Sequence, residues 1–192
     1  MLSVIIPTHD SERALVQTLS ALVPGATAGL LADVIVADAG SRDETEQVAE
    51  IAGCHFITSS EVLGARLKAA AKSTRAPWLM FLRPGAIPEP GWILAVERFM
   101  QETDMREGAA RAAVFRPAPA ADMLRPGFAE VMAMLRVAFG GGPKPEQGLL
   151  IARRFYDALG GHPARADAET AMLRLVGRRR TVMLPVAARY LT

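Results

Sequence analysis

Cysteine is nearly absent from this chain: Cys54 is the single one among 192 residues. No intramolecular disulfide can form, which fits a reducing cytosol. An excess of one charge is lacking too. Lys and Arg number 22 against 20 Asp and Glu, a formal net charge of +2. Nucleic-acid binders concentrate positive charge far more strongly, so that class is set aside. The one basic run, Arg178-Arg179-Arg180, reads as a solvated helix end before it reads as a site for phosphate or anionic lipid. Long hydrophobic runs are also missing, and no apolar stretch reaches the roughly 18 residues of a membrane span. Met1-Leu2-Ser3-Val4-Ile5-Ile6-Pro7 has no basic segment, and Pro7 ends its apolar run, so it does not read as a signal peptide. A cytoplasmic chain with no transmembrane segment is expected, with peripheral membrane contact left open. There is no internal repeat.

What is present is hydrophobic patterning. Apolar residues make up 51% of the chain, enough for one packed domain over residues 1–192. Leu2 to Ile6 is a short apolar run closed by Pro7 and predicts a buried strand. Ser11 is a candidate N-cap for a helix carrying Ala14, Leu15, Thr18, Leu19 and Leu22, with Pro24-Gly25 expected to stop it. A strand at Val34–Ala37 follows, then a helix capped by Ser41 or Asp43 and ended by Gly53. His55–Ile57 predicts a third strand, 62–73 a helix with small residues for close packing, and Trp78–Leu82 a fourth strand. This β-α-β-α-β-α-β order predicts an α/β fold with a parallel sheet and helices on both faces.

Beyond Leu82 the pattern loosens. Pro84, Pro88 and Pro90 predict a loop, 92–100 a helix, and 112–115 a strand. Residues 117–126 are rich in Pro and Ala, 128–139 read as an apolar helix, and 140–143 as a flexible loop. A strand at 148–152, helices at 154–159 and 168–176, and a last strand at 181–184 complete the pattern.

In an open parallel sheet, ligands bind beyond the carboxyl ends of the strands. The residues there are Pro7-Thr8-His9-Asp10, then Asp38-Ala39-Gly40-Ser41-Arg42-Asp43, then Arg83-Pro84-Gly85. No Gly-x-Gly-x-x-Gly follows the first strand, which excludes a dinucleotide-binding Rossmann protein. The lack of any glycine there also speaks against a nucleotidyltransferase.

These segments carry a resemblance. Ser3-Val4-Ile5-Ile6-Pro7-Thr8 followed by Val36-Ala37-Asp38-Ala39-Gly40-Ser41-Arg42-Asp43-Glu44-Thr45 resembles the opening of a family 2 glycosyltransferase with the GT-A fold. Gly64-Ala65-Arg66, Met80-Phe81-Leu82, Pro90-Gly91-Trp92, and the stretch from Gln147-Gly148 to Gly160-Gly161-His162-Pro163 match in order across nearly the whole chain. The short form is similar to the subgroup often encoded beside radical-enzyme genes. The resemblance implies a nucleotide-binding half of about residues 1–90 and an acceptor-side half of about 91–192.

It also implies residue roles. Asp38 would accept a hydrogen bond from the uracil ring N–H, a task suited to a carboxylate fixed at a strand end. The plain structural alternative is a turn or N-cap carboxylate. Thr8 would bond the base or ribose, and Pro7 would shape the turn. His9, where the family often has an aromatic ring, would stack on the base or be merely structural. Arg66 would bring its forked donors to the base or diphosphate, or be a surface arginine.

The family usually carries Asp-x-Asp after the fourth strand, holding Mn²⁺ or Mg²⁺ against the charge that grows on the leaving diphosphate. Here the aligned residues are Arg83-Pro84-Gly85. Both carboxylates are gone, and a divalent ion beside Arg83 would bind poorly. Arg83 would then meet the diphosphate itself, with Lys68 or Arg66, or the chain has lost catalysis, or Arg83 simply faces solvent. Asp167 matches the family's catalytic aspartate and would be the base toward the acceptor hydroxyl; its alternative is a helix N-cap. Glu169 is a weaker substitute. His162 is expected in a solvent-exposed loop, with the acceptor pocket as its other reading. The implied activity is inverting transfer from a nucleoside-diphosphate sugar, UDP-linked, to an unknown hydroxyl. The competing reading is a catalytically inactive GT-A domain that binds a nucleotide or a partner.

Overall fold

The computed structural model describes residues 1–106, 110–117 and 142–190. The apolar helix expected at 128–139, most of the Pro/Ala-rich stretch and the first glycines of the 140–143 loop lie outside them.

The amino-terminal half forms as the pattern predicts. Strand β1 (Leu2–Thr8), helix α1 (Glu12–Thr27), β2 (Leu31–Asp38), α2 (Thr45–Ile51), β3 (His55–Thr58), α3 (Leu63–Ser73) and β4 (Trp78–Phe81) follow one another. Then come β5 (Ala86–Pro88), α4 (Trp92–Asp104), β6 (Ala112–Pro117), β7 (Leu149–Ala152), α5 (Arg153–Ala158), α6 (Ala168–Val176) and β8 (Thr181–Tyr190). The eight strands make one sheet in the order β3-β2-β1-β4-β7-β6-β8-β5. The first four are parallel. β7 runs antiparallel to β4 and β6, while β8 is parallel to β6 and antiparallel to β5.

Connection handedness places the helices. The chain moves outward from β1 to β2 to β3, then returns across the sheet to β4. Right-handed crossovers therefore put α1 and α2 on one face and α3 on the other. The packing agrees: α1 touches α2, and α3 lies on β1, β2 and α6. A continuous core fills the layers, with Val4, Ile5, Ile6, Leu79 and Met80 at 0% exposure. No helix among the described residues is long and apolar enough to cross a membrane.

Several expectations need correction. Pro24-Gly25 does not stop α1, which runs on to Thr27. Pro24 forfeits one backbone bond, but Gly25 is pressed under Trp92, where an added Cβ would lie 2.5 Å from the ring. That packing keeps the last turn helical. The loop expected after Leu82 contains β5, an edge strand too short to have a period. The final strand continues well past Leu184 because its far end pairs with β5.

Candidate active site

The strand order reverses between β1 and β4. In open α/β sheets such a reversal opens a crevice at the carboxyl edge. β1 delivers Pro7 and Thr8 there, β2 delivers Asp38, and β4 is followed by Leu82 and Arg83.

Thr8 and Asp38 are register partners, buried at 2% and 1% exposure. Thr8 Oγ1 donates to Asp38 Oδ1 at 2.7 Å, and Ser41 Oγ donates to the same oxygen at 2.5 Å. The amides of Gly40 and Ser41 donate to Oδ2, each at 2.7 Å. A carboxylate has about four acceptor positions, and all are used. Burial pushes the Asp38 pKa up, but these donors outweigh it and hold it below the usual carboxylate range. Gly40 makes the tight turn possible at φ +88°.

Arg66, in the first turn of α3, reaches this turn. Its Nη1 donates to the Ala37 carbonyl at 2.6 Å and the Thr8 carbonyl at 3.4 Å. Its Nε is buried with no partner among the described residues. Burial lowers the Arg66 pKa, and the Asp38 charge opposes that shift. The loops after β1 and β2 are clamped together. Asp10, left-handed at φ 46°, donates its amide to Ser41 Oγ at 2.8 Å and accepts from the Arg42 amide at 2.7 Å. Pro7 is buried within β1. His9 stands outside, its side chain 64% exposed.

A second cluster surrounds Arg83. Its Nε and Nη2 donate to Glu169 Oε2 at 2.7 and 2.5 Å, and its Nη1 donates to Glu146 Oε1 at 3.0 Å. Burial would lower the Arg83 pKa, but Glu169 and then Glu146 more than compensate, so it is raised. Asp167 is not part of this cluster. It occupies the N-cap position of α6 without capping by its side chain, and both its oxygens accept from Arg165.

His162 corrects an expectation: it is 2% exposed, not a solvent-exposed loop residue. Its Nδ1 lies 2.9 Å from the Tyr156 hydroxyl, which also accepts from the His162 amide at 3.1 Å. Its ring meets Phe81 edge-on at 4.5 Å between centroids. Burial pushes the imidazole down to about 3 and the Tyr156 phenol up to about 12.

The family resemblance implies Mn²⁺ or Mg²⁺, but the donor set here does not fit one. The two carboxylates beside the end of β4 are bound to a guanidinium, and no group of three metal-ligating side chains exists among the described residues. Sequence reasoning brought Thr8, Asp38 and Arg66 to one place but missed Glu146 and Tyr156. Glu146 sits between two prolines and a glycine with no periodic signal, and Tyr156 reads as core.

Residues 3–106 match the model of a family described as glycosyl transferase family 2. A search of curated proteins finds no match. Solved structures with this fold include glucosyl-3-phosphoglycerate synthase from Mycobacterium tuberculosis in complex with Mn²⁺, UDP and glucosyl-3-phosphoglycerate. That chain is 16% identical with a TM-score of 0.67, and the alignment covers 100% of this chain and 72% of the synthase. The mannosyltransferase PcManGT from Pyrobaculum calidifontis, with GDP-mannose and Mn²⁺, is 16% identical with a TM-score of 0.74, covering 98% and 56%. TarS from S. aureus is 16% identical with a TM-score of 0.70, covering 98% and 60%. At these identities the likeness establishes the fold.

Proposed function

The chain belongs to glycosyl transferase family 2, and from that premise we propose that it moves a sugar from a UDP-sugar to a hydroxyl acceptor, with inversion and without a bound divalent ion. One observation carries this reading. The reversal of strand order between β1 and β4 sets the Thr8–Asp38–Arg66 cluster and Arg83 along the same carboxyl edge.

In this reading Thr8, Pro7 and the exposed His9 line the nucleoside pocket. Asp38 holds the 38–41 turn in shape, and a uracil N–H reaches its carboxylate only in exchange for the Ser41 hydroxyl. The orphaned Arg66 Nε costs about 1–3 kcal/mol while buried and unpaired, which a ligand oxygen would relieve. Arg83 supplies the positive charge that stabilises the departing diphosphate. The base comes from the start of α6, where Asp167 and Glu169 both stand.

Incubating the chain with UDP-glucose, UDP-N-acetylglucosamine or GDP-mannose in EDTA tests this. Release of nucleoside diphosphate, lost in Arg83→Ala, is expected for a UDP donor. Binding of UDP with no turnover of any donor would favour the inactive-module reading instead.

A further inference from the structure

Between β4, the segment leading into β7 and α6 lies a cavity of about 10 Å³, lined by Phe81, Gly148, Leu149, His162, Glu169 and Leu173. This is room for about one water molecule, and so for one hydroxyl group. Three of these residues are apolar and Gly148 adds only backbone, leaving His162 and Glu169 as the polar side chains of the wall.

Their chemistry is complementary. The Tyr156 hydroxyl accepts from the His162 amide and lies 2.9 Å from Nδ1, and in the tautomer that leaves Nδ1 unprotonated its single proton goes to that nitrogen. The neutral ring then keeps its own proton on Nε2 and is a donor there. Glu169 gives both of its bonds to Arg83 through Oε2, and Oε1 has no hydrogen-bond partner among the described residues. Both residues line the single-hydroxyl cavity, and a donor on one with a free acceptor on the other are what an alcohol oxygen needs.

Resting on the glycosyl-transfer reading above, we propose that this cavity seats the acceptor hydroxyl and that Glu169 is the catalytic base. His162 orients the oxygen. The acceptor O–H bond breaks with its proton going to Glu169 Oε1, and the oxygen forms a bond to the anomeric carbon. The bond from that carbon to the diphosphate breaks, and its electron pair leaves with the nucleoside diphosphate. Arg83 binds only Oε2 of Glu169, which leaves Oε1 for the acceptor proton. Asp167 is poorly placed for this role, its side chain 48% exposed and its oxygens held by Arg165.

The test compares wild type and Glu169→Gln, with UDP-glucose as donor and either water or azide as acceptor. Azide carries no proton to remove, so it needs no base. Glu169→Gln is expected to bind UDP undiminished, to lose about 10²–10⁴-fold in hydrolysis, and to retain formation of glucosyl azide. An equal loss with azide, or undiminished hydrolysis with the loss appearing in Asp167→Asn instead, would overturn the assignment. Circular dichroism checks folding; should Glu169→Gln not fold, Glu169→Asp, which keeps the charge on a shorter arm, must show the same split between water and azide. If wild type neither binds UDP nor turns over a donor, the glycosyl-transfer reading itself fails.

Discussion

Single residues decide how tightly this site is built. Gly64 opens α3 against the loop after His162, and an added Cβ would lie 1.7 Å from the Pro163 carbonyl oxygen. Backbone cannot yield as a side chain does. Gly64→Ala is therefore expected to lose about 1–3 kcal/mol or more, read as a lower midpoint in urea with unchanged slope. His162 gives a second test. Its pKa is depressed to about 3 in the folded chain, against 6.5 for the ordinary side chain. Below about pH 6.5 the unfolded chain takes up a proton that the folded one refuses. Stability is thus whole above that pH and falls as pH drops toward 3, by at most about 1.4 kcal/mol per pH unit. Asp38 and Asp43, held below the carboxylate range, lose their contribution only at lower pH. Urea unfolding between pH 4.5 and 6.5 should show this slope in wild type and a shallower one in His162→Phe.

Elements are joined at their ends by side chains that the sequence presents but does not assign. Ser11 has the position of an N-cap for α1 but makes no capping bond; its hydroxyl donates to the His9 carbonyl at 2.9 Å. The α1 start is capped from elsewhere. Asp43 Oδ2 accepts the Glu12 amide at 3.0 Å, and Oδ1 accepts the Thr45 amide at 3.1 Å. One carboxylate serves the first turns of two helices, so Asp43→Ala should cost about 1–2 kcal/mol in denaturant unfolding. The amino-terminal elements were legible in the sequence because buried strands and amphipathic helices each have a period. The cap was not, since Asp43 and Ser11 are 32 positions apart and only the fold brings them together. The same holds for Arg83, whose partners Glu146 and Glu169 come from distant segments. Its place after β4 could be read, but its neutralisation by two carboxylates could not.

The molecule as a whole is a family 2 glycosyltransferase sheet in which Arg83, just beyond the end of β4, is paired with Glu146 and Glu169. Asp38, Thr8 and Arg66 stand on one side of the strand reversal, and Arg83 on the other. In the proposed reaction the positive charge that meets the diphosphate is covalently part of the chain. Isothermal titration with UDP, in EDTA and again with Mn²⁺, tests this most directly. The predicted result is the same affinity in both buffers, and a loss of about tenfold, or 1.4 kcal/mol, in Arg83→Ala. Binding that appears only with Mn²⁺ and is indifferent to Arg83→Ala would contradict it.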